Sequence, residues 1–118
     1  MKRCLILIAL FLTACAAPAP VLDAAMTASM NARADAYDAQ YPGMTDTNVA
    51  RECAKNPIGL YWHENGIWAV ICVLPALPNT YGAVLMDASY TVLSTEHISA
   101  ASRSALEDQV FAVGWEAR

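Results

Sequence analysis

The dipeptide Asn65-Gly66 stands between two runs rich in aromatic and β-branched residues, Ile58 to His63 and Ile67 to Leu74, and restricts the fold more than any other stretch. Asn-Gly is a strong hairpin signal, because both residues tolerate the positive φ that a tight turn matched to strand twist demands. A two-residue turn sets the pairing: His63 faces Trp68, Trp62 faces Ala69, Tyr61 faces Val70, Leu60 faces Ile71 and Gly59 faces Cys72. Side chains alternate along a strand, so Tyr61, His63, Trp68, Val70 and Cys72 are expected on one side and Leu60, Trp62, Ala69, Ile71 and Val73 on the other. Both sides are apolar. A strand such as Ile67 to Leu74 is therefore either central and covered on both faces, or part of a sheet that keeps one face for a partner.

The rest of the chain supplies the cover. Met26, Met30, Ala34, Tyr37 and Tyr41 recur at helical spacing, with Asp23 placed to cap the helix and Tyr41-Pro42-Gly43 to end it. A second, shorter helix is expected to start near Thr45 or Asp46, to carry Val49, Ala50, Cys53 and Ala54 on its apolar face, and to stop at Asn56-Pro57. Pro75, Pro78 and Asn79 form a loop that no strand continues through. Beyond it two more strands are predicted, Tyr81 to Met86 and Tyr90 to Thr95, joined at Asp87-Ala88-Ser89. A closing helix follows from about Ser99, with Ala101, Leu106, Val110 and Val113 facing inward and Gly114 as its stop; Ser104 and Glu107 have capping-box spacing should it start late. Two helices, a four-stranded antiparallel sheet and a C-terminal helix make one small α+β domain over residues 23–118.

The chain opens Met1-Lys2-Arg3, runs apolar from Leu5 to Leu12, and reaches Leu12-Thr13-Ala14-Cys15. A positive start followed by a short apolar run is the plan of an export signal, and this run falls short of the ~20 apolar residues a membrane-spanning helix needs. With the tetrapeptide it resembles the precursor of a bacterial lipoprotein. The resemblance covers only the start of the chain. It implies that residues 1–14 are a signal peptide, that Cys15 is acylated with palmitate-type chains, and that the mature protein is anchored in the bilayer. Ala16-Ala17 follow Cys15 where an aspartate would favour inner-membrane retention, so the outer membrane is expected, with the domain facing the periplasm. Ala14-Cys15-Ala16 also has the form of an ordinary signal-peptidase site, which leaves simple secretion as the alternative. Residues 15–22, with Pro18 and Pro20, read as a lipidated cysteine and a semi-rigid tether.

Without residues 1–14, five basic residues (Arg33, Arg51, Lys55, Arg103 and Arg118) face eleven acidic ones, a formal net charge of −6. No cluster of Lys and Arg remains to release counterions from a phosphate backbone, so nucleic acid is not an expected partner. The lipoprotein resemblance also implies an oxidising compartment. Cys4 then lies in the signal and Cys15 carries lipid, which leaves Cys53 and Cys72 as an even pair expected to form a disulfide; two buried free thiols are the alternative. Such a staple would contribute roughly 3 kcal/mol to a small domain, and it would draw the second helix over the Cys72 side of the hairpin. There is no C-x-x-C or H-x-x-x-H spacing for a metal and no phosphate-loop or nucleotide fingerprint, so no cofactor is expected.

Catalytic signatures are equally scarce: after Cys15 there is no G-x-S-x-G and no H-E-x-x-H. His63, beside Glu64 and expected on the Cys72 side, is the one group that invites an enzymatic reading, and His97 beside Glu96 is a weaker second. A histidine next to a hairpin turn is more often structural, and no catalytic residue is assigned. The leading expectation is a non-enzymatic binding or envelope-structural lipoprotein. Its partners would be the bilayer, through Cys15, and an envelope protein meeting Leu60, Trp62 and Ile71 as one exposed apolar patch. The alternatives are a periplasmic hydrolase or cell-wall enzyme using His63, and a phage or mobile-element lysis or exclusion lipoprotein. Phage spanin subunits share the lipobox and proline-rich spacer but not a hairpin-rich domain. Lipoprotein inhibitors of lysozyme match in size, cysteine pair and compartment, yet the Ser-Gly-x-Arg-Tyr segment they carry is missing here.

Overall fold

The computed structural model describes residues 20–43 and 48–118. Its elements run α1 (Ala24–Gln40), α2 (Val49–Lys55), β1 (Pro57–His63), β2 (Ile67–Val73), β3 (Thr80–Met86), β4 (Val92–Ser99), α3 (Arg103–Ala112) and β5 (Glu116–Ala117). The signal segment, Cys15, tether residues 16–19 and the expected caps Thr45 and Asp46 lie outside the described residues.

The fold is α+β, with one antiparallel sheet in the order β4-β3-β2-β1-β5. β2, whose two faces are both apolar, sits in the middle, where each face can be covered. On one face α1 contributes Met26, Met30 and Ala34 and α2 contributes Val49, Ala50 and Cys53, all packed on Val70, Cys72, Leu74, Val84 and Met86. Cys53 and Cys72 are joined by a disulfide, with their Cα atoms 4.9 Å apart. On the other face Leu106 and Val110 of α3 pack with Tyr61, Ala69, Ile71 and Ala83.

Asp23 caps α1, its carboxylate accepting the Ala25 N–H at 2.9 Å. The second helix is capped by Asn48, later in the chain than Thr45 or Asp46. Its side-chain oxygen accepts the Arg51 N–H at 3.2 Å. Its amide donates to the Ala34 carbonyl at 3.1 Å and to Asp38 at 2.8 Å, so one buried residue both starts α2 and ties it to α1.

The hairpin differs from the expected one by a single residue, with large consequences. Its turn is Glu64-Asn65-Gly66, closed by the pair His63 and Ile67. Gly66, at φ 91°, is the one turn residue with positive φ, whereas a two-residue turn would ask it of Asn65 as well. The three-residue turn is held by Gly66 N–H to the His63 carbonyl at 2.9 Å and by Ile67 N–H to the Asn65 side chain at 3.2 Å. Pairing therefore slips to Trp62 with Trp68, Tyr61 with Ala69, Leu60 with Val70 and Gly59 with Ile71. Because side chains alternate, the slip turns β1 over relative to β2. Leu60 and Trp62 join Trp68, Val70 and Cys72 on the α1/α2 side, with the two indole rings 4.7 Å apart, and Tyr61 goes under α3.

The remaining boundaries shift for local reasons. β4 begins after a turn in which the Asp87 carboxylate accepts the N–H groups of Ser89 and Thr91, at 2.9 and 3.0 Å, and it continues to Ser99. That extension displaces the start of α3, which is capped by Ser102 accepting the Ala105 N–H at 3.1 Å, not by Ser99 or Ser104. Only Leu106 and Val110 of the expected stripe are buried; Ala101 is exposed and Val113 is 63 % exposed. After Gly114, at φ 96°, the chain returns along β1 as a fifth strand where four were expected, pairing Ala117 with Tyr61 and Glu116 with Trp62. Arg118 N–H closes the strand on the Leu60 carbonyl at 2.9 Å.

Candidate functional site

The turned-over β1 breaks up the expected contact patch. Leu60 and Trp62 lie half-buried on the α1/α2 side, and Ile71 is 1 % exposed on the α3 side, so the three do not share a surface. What the sheet offers instead is a hollow on the α3 side.

The hollow follows from side-chain size. On this face β2 and β3 present Ala69 and Ala83 at the centre, between Ile71 and Leu85. Two alanines leave the sheet shallow there, while α3 is held off by the larger Leu106 and Val110 and approaches the strand backbones less closely than α2 does on the opposite face. The result is an open groove of about 270 Å³. Tyr61, Ile71 and Leu85 line it from the sheet, Ile98 and Glu96 from β4, and Val110 and Trp115 from α3 and its exit. The Tyr61 ring lies over Gly59, where an added Cβ would come within 2.6 Å of it and force the ring to move, and Phe111 meets the ring edge-on at 5.8 Å.

The electrostatics are simple. Glu96 is the charged residue of the groove wall; it accepts from the Ser94 hydroxyl at 3.3 Å and forms no ion pair among the described residues. Burial pushes the Tyr61 hydroxyl above its ordinary range, reinforced by Glu107 and opposed by the charge and hydrogen bond of Arg103. Arg103 itself is structural, donating to the Ile58 carbonyl at 2.5 Å with its Nε 3.5 Å from Glu107.

His63 is on the α3 side, away from Cys72 and opposite Ile67, contrary to the expected pairing with Trp68. Both ring nitrogens are engaged. Nδ1 accepts the Asn65 N–H at 3.2 Å, which assigns the proton to Nε2, and Nε2 donates to the Val113 carbonyl at 3.1 Å. The ring meets Trp115 edge-on at 5.2 Å and pins the α3 exit to the hairpin. His97 and Glu96 are adjacent in β4 but project to opposite faces, so they do not form a pair. Cys53 and Cys72 are both in the disulfide. Among the described residues no group of three His, Cys, Asp or Glu residues fits a metal ion, and no helix is long and apolar enough to cross a membrane.

Most of the groove was missed from sequence, because its lining comes from five elements and the register decides which residues share it. The available signal was the small residue at the centre of each of two strands, Ala69 and Ala83, which acquires meaning only once Tyr61 is known to face them. Comparison with known proteins gives no match to a family model, to a curated protein or to a solved structure.

Proposed function

We propose that the chain is a lipoprotein of the bacterial outer membrane, acylated at Cys15 and facing the periplasm, that acts by holding an envelope protein partner. The observation that carries the binding role is the open apolar groove under α3, with the unpaired carboxylate of Glu96 on its wall. A hollow of this kind suits an apolar side chain of the partner. Glu96, on a domain of net negative charge, suits a basic residue beside that side chain. The anchor rests on Leu12-Thr13-Ala14-Cys15, and two or three acyl chains hold a protein stably where one does so marginally. His63 Nε2 holds the α3 exit and Nδ1 holds the hairpin turn, which gives that residue a structural task and adds nothing to a hydrolase.

Two measurements test the parts separately. Labelling cells with a fatty-acid analogue and weighing the N-terminal peptide should give an acylated Cys15, with Cys15→Ser unlabelled; an unmodified N-terminus at Ala16 or Ala17 in soluble periplasm would remove the anchor. A photo-cross-linking residue at Ile98, on the groove wall, should trap one envelope protein in the cell, and Glu96→Lys should abolish the adduct while leaving the thermal melt unchanged. A groove without a neighbour, or a neighbour indifferent to Glu96→Lys, would end the binding role assigned to it.

A further inference from the structure

A second concavity lies across the sheet from the groove, between α1, the start of α2 and the outer strand β4. It has a volume of about 90 Å³ and is lined by Arg33, Tyr37, Asn48, Val49, Ala50, Thr95 and His97. Sequence spacing brings these together: Arg33 and Tyr37 are one helical turn apart on α1, and Thr95 and His97 are two apart on β4 and so share a face. Their β3 partners Val84 and Gly82 face α2, which puts Thr95 and His97 on the same side as α1.

The unusual member is Arg33. In a chain with an excess of acid, the other described arginines are each paired: Arg51 with Asp35 and Asp38, Arg103 with Glu107, and Arg118 with Glu116. Among the described residues Arg33 has no carboxylate within ion-pair distance, and it borders a cavity instead. Around it stand the His97 imidazole and the Thr95 hydroxyl, groups that can donate hydrogen bonds. Asn48 adds no donor, because its amide is committed to Ala34 and Asp38. Val49 and Ala50 supply an apolar side.

We propose that this pocket binds a carboxylate carrying a small alkyl group, with Arg33 gripping the two oxygens and Val49 and Ala50 receiving the alkyl carbon. The guanidinium is a planar fork whose geometry matches a carboxylate. A single cation balances a single negative charge, and a phosphate dianion would be poorly matched on a domain this acidic. The cavity has room for roughly three waters, the scale of a carboxylate with a short side chain and not of a larger anion. Such a group is found on a free short-chain acid and at the end of a peptide whose last residue is small. The site is on the opposite face from the groove, and neither depends on the other.

The test is a titration of the full chain in detergent, followed by NMR of the His97 ring, with propionate, the dipeptide Ala-Ala, its C-terminal amide and inorganic phosphate as probes. Propionate and Ala-Ala should shift His97 saturably, whereas the amide should not. Arg33→Gln should weaken binding at least tenfold, and Arg33→Lys, which keeps the charge but loses the fork, should fall between. Arg33 is exposed on α1, so both variants should keep the wild-type melt. Tighter binding of Ala-Ala than of propionate assigns the site to peptide ends, and equal binding assigns it to free acids. No saturable shift with either carboxylate, an amide that binds as well, phosphate binding more tightly, or Arg33→Gln without effect would overturn the proposal.

Discussion

Asn48 does three jobs with one side chain: it caps α2, donates a further hydrogen bond to the Ala34 carbonyl of α1 and orients Asp38. Asn48→Ala removes the cap and the two amide bonds that tie α2 to α1, effects expected together to cost about 2 kcal/mol. Urea unfolding of the variant measures this, and a midpoint equal to wild type would mean the corner is held by packing alone. The same corner gives the domain an acid limit. The Asn48 hydrogen bond and the neighbouring Arg51 hold the Asp38 carboxyl below its ordinary range, and the Thr91 N–H and Ser89 do the same for Asp87. In both cases the unfolded chain takes up the proton first as pH falls. The stabilisation is therefore present above the ordinary carboxylate pKa of about 4 and is lost as pH drops through the lower folded values. Melting temperature should fall below about pH 4, and Asp87→Asn should flatten the fall. An unchanged slope in that variant would move the acid limit elsewhere.

Among the elements, α2 sits closest to the sheet, and Gly82 is the reason. A Cβ there would lie 2.8 Å from Val49 Cγ1, 3.0 Å from Leu74 Cδ2 and 3.1 Å from the Cys72 sulfur, all atoms of buried side chains and the last held in the disulfide. Gly82→Ala should therefore destabilise by about 1 to 3 kcal/mol, and Val49→Ala in the same chain should recover part of the loss. A double variant no more stable than Gly82→Ala alone would place the strain in β3 itself. Local chemistry made several elements legible beforehand. Asp23 before an alanine-rich stripe and Asn56-Pro57 after a short apolar face mark α1 and the end of α2, and Asn-Gly between two apolar runs marks the hairpin. The length of the hairpin turn was not legible, because Asn65 is compatible with either sign of φ. Two- and three-residue turns then differ by interactions the local sequence does not rank. What decides is burial on both faces, with Tyr61 under α3 and Trp62 against Trp68.

At the scale of the whole molecule, the disulfide ties the helical layer to the central strand across 19 residues of sequence. Cys53→Ser or Cys72→Ser should cost about 2 to 5 kcal/mol, read from chemical denaturation beside a thiol count on the unfolded, unreduced protein. Two free thiols in that count would leave α2 held by its core packing and by the Asn48 bonds to α1. The pairing could be anticipated because only Cys53 and Cys72 remain once Cys4 and Cys15 are given the places expected of them in a signal and at a lipid anchor, whereas the groove and the Arg33 pocket could not.

The sequence by itself determined the class of fold, the approximate place of three helices and four strands, the apolar character of both faces of the strand that follows the hairpin turn, and the excess of acid over base. Each of these follows from neighbouring residues or from a sum over the chain. Tertiary structure alone decided which side of the sheet Leu60, Trp62, Tyr61 and His63 occupy, that residues 116–117 complete the free edge of β1, and where the surface is left hollow. The physical reason is the two-residue period of a strand. One residue more in a turn exchanges its faces, and only the packing of distant helices sets the energy of that choice.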